Sequence, residues 1–249
     1  MDYPIIIINL DQDTERFENV TKQLNEFAHT IIRFSAINGK ELKLNNVDIS
    51  PYTLYLIEHP NNRCSHQQIN TVGGIGCYLS HCNVWNMYKE SPQGGILVFE
   101  DDLNVNENFA EELRHVLSNI PSDCDVLSFG YLGLLEKCKM MNIVNKSSSL
   151  FFGLQGYYIS NQGMKKLLKH AFPIEVHLDA YIALAAKQGW INLYFTKTSL
   201  VRQCNVTSNI TYDYCYKCLL PDMSMNGLIS IGIIILFIIV LILLYKLRK

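Results

Sequence analysis

The chain opens on a run with almost no polar position, Pro4 to Leu10, and its consecutive Ile residues predict a strand covered on both faces. A polar turn follows, Asp11-Gln12-Asp13-Thr14. Beyond it Phe17, Val20, Leu24 and Phe27 recur at spacings of 3, 4 and 3, which predicts a helix with one apolar side. Ile31 to Ile37 reads as a second strand that ends at Asn38-Gly39. Residues 45–68 are polar, contain Pro51 and Pro60, and are expected to be irregular. After Gly73-Gly74-Ile75-Gly76, the placing of Leu79, Cys82, Trp85 and Met87-Tyr88 predicts another helix. Gly94-Gly95 then opens a buried strand, Ile96 to Phe99, which runs into Glu100-Asp101-Asp102. A helix over 108–119 and a strand over 125–129 come next. Strands alternating with helices imply an α/β domain with a mostly parallel sheet. Ligands of such sheets bind beyond the carboxyl ends of the strands. Two polar clusters occupy such ends, Asn9-Leu10-Asp11 and Glu100-Asp101-Asp102.

The pattern changes near the end of the 249 residues. Leu228 to Tyr245 carries no charge and shows no polar stripe, unlike an amphipathic helix of a soluble core. At a rise of 1.5 Å per residue it would cover roughly 27 Å, close to the hydrocarbon thickness of a bilayer. The chain therefore divides into a domain over 1–221, a juxtamembrane linker over 222–227, a transmembrane helix over 228–245 and a basic tail over 246–249. Met1-Asp2-Tyr3-Pro4 has no positive n-region, and Ile5 to Ile8 is too short for a signal-peptide core. With the membrane segment emerging last, the domain is expected in the cytosol. The charge rule favours the opposite, a lumenal domain, because Lys246, Arg248 and Lys249 follow the helix and Asp222 precedes it. Asn-x-Ser/Thr sequons at Asn19, Asn145, Asn205 and Asn209 lean the same way, although the chain is rich in Asn and Asn19 falls in a predicted helix.

A net charge of −2 leaves no electrostatic footprint for nucleic acid. Cys64, Cys77, Cys82, Cys124 and Cys138 are scattered, as free thiols packed like small hydrophobes would be. Cys215 and Cys218 form a lone Cys-x-x-Cys with only Cys204 near it, too few ligands for a structural zinc. They read better as ordinary or palmitoylated juxtamembrane thiols.

Three consecutive acids after a buried strand repel one another and raise each other's pKa. A divalent cation removes that penalty, and hard carboxylate oxygens suit magnesium or manganese, often together with substrate phosphates. The other reading of Glu100-Asp101-Asp102 is a solvated acidic turn or a helix N-cap. Gly73-Gly74-Ile75-Gly76 is not a phosphate-binding Walker loop, since no Gly-Lys-Ser/Thr follows, nor a dinucleotide fingerprint, since no apolar strand precedes it. Its glycines instead suit a close backbone approach at a helix start.

Read together, Ile8-Asn9-Leu10-Asp11 with Glu15-Arg16, Gly74-Ile75-Gly76-Cys77-Tyr78-Leu79-Ser80-His81, and Leu97-Val98-Phe99-Glu100-Asp101-Asp102 resemble glycosyltransferase family 25. That family includes bacterial lipooligosaccharide galactosyltransferases and the procollagen galactosyltransferases. Gly156-Tyr157-Tyr158-Ile159-Ser160 with Gly163, Leu178-Asp179-Ala180-Tyr181 and Leu200-Val201-Arg202-Gln203 look like its closing motifs. The resemblance implies a GT-A type nucleotide-sugar-binding fold, a UDP-sugar donor, a manganese or magnesium ion, and inversion at the anomeric carbon. The function so implied is transfer of a hexose, galactose or glucose, to a glycan, lipid or protein hydroxyl at a membrane. A catalytically silent, membrane-tethered binding or scaffolding member of the family is the alternative.

On this footing Asp102 is expected to ligate the metal, which stabilises the leaving diphosphate as a Lewis acid. Glu100 is placed on the metal or the nucleotide ribose, with Asp101 beside it. Asp179 is expected to be the general base that deprotonates the acceptor hydroxyl, opening a helix that continues through Ala186. An ordinary helix cap is its other reading. His177 is the rival base. Asn9 and Leu10 are expected at the uracil or ribose, Arg16 at a phosphate or paired along its own helix, and Ser80 and His81 at the donor. A lone His on a helix, however, more often packs through hydrogen bonds.

Overall fold

The computed structural model describes residues 3–25, 27, 31–131, 139–140 and 144–204. The expected transmembrane helix over 228–245, its linker and tail, Asn205, Asn209, Cys138, Cys215 and Cys218 lie outside the described residues. Among the described residues, no helix is long and apolar enough to cross a membrane.

The chain runs β1 (Ile5–Asn9), α1 (Thr14–Leu24), β2 (Ile31–Ser35), α2 (Pro51–Glu58), α3 (Val72–Tyr88) and β3 (Gly95–Glu100). It continues through β4 (Leu103–Val105), α4 (Phe109–Ser118), β5 (Val126–Ser128), β6 (Lys139–Met140) and β7 (Val144–Lys146). Then come β8 (Gly156–Ser160), α5 (Asn161–Leu168), α6 (Leu178–Lys187), β9 (Leu193–Thr196) and β10 (Val201–Gln203). Eight strands form one sheet in the order β2-β1-β3-β8-β5-β9-β7-β6, and β10 pairs with β4 in a separate ribbon. Within the sheet β7 and β8 run against the other strands, so it is mixed but mostly parallel, as the alternation implies.

The uninterrupted apolar runs have a direct cause. In β1 and β3, Ile6, Ile8, Ile96 and Val98 face one core, with Ile75, Tyr78 and Trp85 of α3, Met164 and Leu167 of α5, and Ile182 of α6. The alternate residues Ile5, Ile7, Leu97 and Phe99 face the other, with Val20 and Leu24 of α1 and Phe109 and Leu113 of α4. Both faces are thus covered, and a strand of period two has no polar position to spare. Each such fully buried side chain stabilises the fold by about 1.5–3 kcal/mol.

Three expectations are corrected. Residues 45–68 are not irregular throughout, since they carry α2. Ser50 caps it, its Oγ accepting from Thr53 N at 3.2 Å, and Pro51 sits in the first turn, where a missing N–H costs nothing. The helix around Phe17 ends at Leu24, so Phe27 lies past it, yet still packs edge-on against Phe109 at 6.0 Å. The second strand stops at Ser35 rather than Ile37, because the chain turns out of the sheet there. Ala36 N donates to Asn9 O and Ile37 N to Ser80 Oγ.

Of the sequons, Asn19 is exposed on α1, whereas Asn145 is buried on β7. Cys64, Cys77, Cys82, Cys124 and Cys204 are free thiols, with Cys82 and Cys124 buried in the core as expected.

Candidate functional site

β1 and β3 lie side by side in parallel, with Ile8 opposite Glu100, so their carboxyl ends deliver Asn9 and Asp101 to the same place. A cavity of about 260 Å³ opens there. Its lining includes Asn9, Leu10, Arg16, Ser80, His81, Glu100, Asp101 and Asp102, every residue expected to touch the donor or metal. The opposite wall is the segment Ala36 to Lys40 and the start of α3.

That wall depends on missing side chains. A Cβ on Gly39 would lie 1.9 Å from Val72 O, and one on Gly76 would lie 2.4 Å from Ile37 O. Gly76 of α3 and Gly39 therefore let the 36–39 segment lie against the helix backbone, the close approach expected of a glycine at this helix start. Thr71 caps α3, its Oγ1 accepting from Gly74 N at 3.1 Å.

Several lining side chains are engaged within the protein. Asn9 Nδ2 donates to Asp101 Oδ2 at 2.6 Å and to Asp13 O at 2.9 Å, while its Oδ1 accepts from Arg33 Nε at 2.9 Å. Arg33 also donates to the carbonyls of Leu10 and Asp11 and lies 4.9 Å over the Phe17 ring. Arg33 was not foreseen from the sequence; it fixes the turn after β1. Arg16 pairs with Asp101 at 3.6 Å, and both line the cleft. Ser80, fully buried, accepts from Ile37 N at 2.8 Å and donates to Gly76 O at 2.7 Å, so its hydroxyl braces the wall.

The acids crowd as their sequence suggests. Burial, then the charges of Asp102, Asp101 and Asp179, push the Glu100 carboxyl well above the usual range. Burial raises Asp101 too, opposed by its hydrogen bond from Asn9 and by Arg16. Asp102 Oδ2 accepts from Gln203 Nε2 at 3.0 Å, and its carbonyl accepts from Cys204 N at 2.7 Å, so the β10 end folds back onto the acids. Asp102 Oδ1 is buried with no hydrogen-bond partner among the described residues. An orphaned carboxylate oxygen at the cleft is chemistry that suits a hard divalent cation, although among the described residues the three acids do not bring one oxygen each within 4.8 Å of one another.

Asp179 and His177 do not line this cavity. They sit at the start of α6, with His177 as its N-cap residue. Asp179 Oδ2 accepts from Gly153 N at 2.9 Å and Oδ1 from Ala180 N at 2.7 Å; it lies in the first turn of α6 but is not the residue that caps it. Burial raises its carboxyl, and its charge is felt by both Glu100 and Cys77, so it flanks the acidic end of the cleft. The His177 ring lies against Gly74, 3.2 Å from where a Cβ there would stand. Burial, with Arg63 second, lowers its pKa to about 4.

His81 is fully buried, and burial lowers its pKa to about 3. Its Nδ1 lies 2.8 Å from Tyr157 Oη and its Nε2 3.4 Å from Glu100 Oε1. Cys77, one helical turn earlier, places Sγ 3.9 Å from the same oxygen. Tyr157 and Cys77 were not singled out for the site from the sequence. Both lie inside motifs that the sequence does show, but nothing in the spacing joins β8 to α3.

Known proteins resemble the chain. Residues 2–146, more than half of the chain, match the family described as glycosyltransferase family 25 (LPS biosynthesis protein). A glycosyltransferase 25 family member of Aedes aegypti is 29% identical over 212 residues, covering 79% of this chain and 33% of the relative. One of Drosophila melanogaster is 30% identical over 190 residues, covering 72% of this chain and 30% of the relative. Procollagen galactosyltransferase 1 of Danio rerio is 28% identical over 175 residues, covering 66% and 28%. The chain spans about a third of the length of these curated relatives.

Proposed function

The chain belongs to glycosyltransferase family 25, and from that premise we propose that its domain transfers a hexose from a UDP-sugar to a hydroxyl of a glycan, lipid or protein. The observation that carries the reading is the convergence of Glu100, Asp101 and Asp102 with the β1 turn on one cleft at the carboxyl edge of a parallel strand pair. This is the position at which a GT-A type sheet would receive a nucleotide sugar. The procollagen galactosyltransferases among the relatives favour galactose as the sugar and a protein hydroxyl as the acceptor.

Asp102 and Glu100 are the residues that would hold manganese or magnesium, which when bound would stabilise negative charge on the leaving diphosphate. Around it the chain has its own tasks. Arg33 and Asn9 hold the turn after β1 rigid, so that Leu10 presents a fixed edge to the nucleotide. The 36–40 segment forms the opposite wall of the cleft. Asp179 then takes the proton of the acceptor hydroxyl, whose oxygen bonds to the anomeric carbon as the bond to the diphosphate breaks on the opposite face. The outcome is inversion. The raised carboxyl of Asp179 suits the task, because a base with a pKa nearer neutrality drives proton transfer better. His177, neutral well below pH 7, is the second candidate. The apolar segment over 228–245 is proposed as the membrane anchor that brings the site to its acceptor.

The test is turnover. The purified full-length chain is offered each of several UDP-hexoses with manganese, and released UDP is measured. Release from one sugar, abolished by chelator, supports the reading. Release from none, with and without acceptor peptides or glycans, leaves a silent family fold instead.

A further inference from the structure

Behind Glu100 lies a buried chain of polar groups that the reaction above does not use. Trp85, Tyr157 and His81 are all fully buried. Trp85 Nε1 is 2.9 Å from Tyr157 Oη, and Tyr157 Oη is 2.8 Å from His81 Nδ1. An indole N–H can only donate. Tyr157 therefore accepts from Trp85, and its single proton is free to go to His81. Nδ1 is then the acceptor, so the ring proton of a neutral His81 is on Nε2, the nitrogen that faces Glu100 Oε1.

We propose that Trp85 and Tyr157 are positioning residues that lock His81 in its Nε2–H tautomer, and that His81 in turn holds the Glu100 carboxylate in place at the cleft. The consequence for binding rests on the cleft reading of Glu100; the lock itself does not. The Nε2–H of His81 and the Cys77 thiol both meet Oε1, so neither occupies Oε2. One oxygen is thus tied to the core and the other is left for the cleft. His81 lines the cleft without needing to touch the donor.

The same three side chains invite another assignment. Cys77 Sγ, His81 Nε2 and a Glu100 oxygen lie within 4.8 Å of one another, a set that would suit zinc. To ligate, Nε2 must lose its proton and Nδ1 must gain one. Tyr157 would then accept from both His81 and Trp85, and its own proton would lose its present acceptor. The hydrogen-bond directions favour the lock.

The tautomer is directly readable. Full-length chain carrying ring-¹⁵N histidine is examined by NMR, with the His81 signal assigned by its loss in His81→Gln. The lock predicts a protonated Nε2 and an unprotonated Nδ1 in the wild type. It also predicts that Tyr157→Phe, checked for unchanged melting cooperativity, disturbs that pattern. Manganese-dependent UDP affinity should fall about 10–100-fold in Tyr157→Phe, the usual size of effect when the support of a metal-site residue is removed. His81→Gln, which keeps an N–H near the Nε2 position, should retain more affinity than His81→Leu. A wild-type Nδ1–H tautomer overturns the proposal whatever the variants do. So does a zinc-induced shift of both ring nitrogens that Cys77→Ser abolishes, because that is the metal assignment. If the tautomer is as stated but the wild type binds no UDP, the lock stands and the donor reading falls.

Discussion

The seam between α3 and the 36–39 segment forms one wall of the cleft, and Gly76→Ala tests it. The added methyl carbon would lie 2.4 Å from Ile37 O and 2.8 Å from Gly39 N, where ordinary contact begins near 3.4 Å. Both obstacles are backbone, so the seam must open by the difference, 3.4 − 2.4 = 1.0 Å. Overpacking of this kind costs about 1–3 kcal/mol. The opening also stretches the Ile37 N to Ser80 Oγ bond from its 2.8 Å, forfeiting a further 0.5–1.5 kcal/mol, roughly. Alanine recovers about 0.5–1 kcal/mol as the better helix former. The net expectation is a loss of about 0.5–4 kcal/mol, centred near 2. Urea unfolding followed by tryptophan fluorescence is the assay, since Trp85 is fully buried and becomes exposed. The midpoint should fall with an unchanged slope. Asn83→Ala, on the exposed side of the same helix, should stay within about 0.5 kcal/mol of wild type. A Gly76→Ala chain as stable as wild type would refute the seam.

Three further outcomes are expected. Asp102→Asn keeps the side chain's size and should leave the fold intact while manganese-dependent binding of a UDP-sugar weakens, as isothermal titration would read. Asp179→Asn should bind the donor normally yet transfer about 10²–10⁴-fold more slowly; equal loss of donor binding in both variants would return Asp179 to a purely structural role. His177 has a folded pKa of about 4 against an ordinary 6.5, so its contribution is complete above pH 6.5 and is lost as pH falls toward 4, at up to about 1.4 kcal/mol per pH unit. Urea midpoints at pH 7, 6 and 5 should therefore fall less steeply in His177→Gln, and parallel slopes would contradict the assigned burial.

What the sequence shows well is whatever burial imposes on consecutive positions. β1 and β3 are legible because coverage on both faces leaves them apolar throughout, and the cleft is legible because polar residues resume where those strands end. α2 was hidden because Pro51 looks like a breaker in a polar stretch, and only the Ser50 cap reveals it as a first-turn proline. The partners of the site were hidden for a different reason. Arg33 on Asn9, Gln203 on Asp102 and Tyr157 on His81 join residues 24, 101 and 76 positions apart, and no local pattern encodes such a pairing. Ser80 and His81 line the cleft, but their hydrogen bonds run toward the wall and the core.

The central claim is that this cleft holds a nucleotide sugar through a divalent cation on Glu100 and Asp102. Calorimetric titration of the full-length chain with UDP, in manganese and again in chelator, tests it most directly. The account predicts saturable one-to-one binding in manganese that chelator removes. Binding of equal strength in chelator, or no binding in manganese, would contradict it.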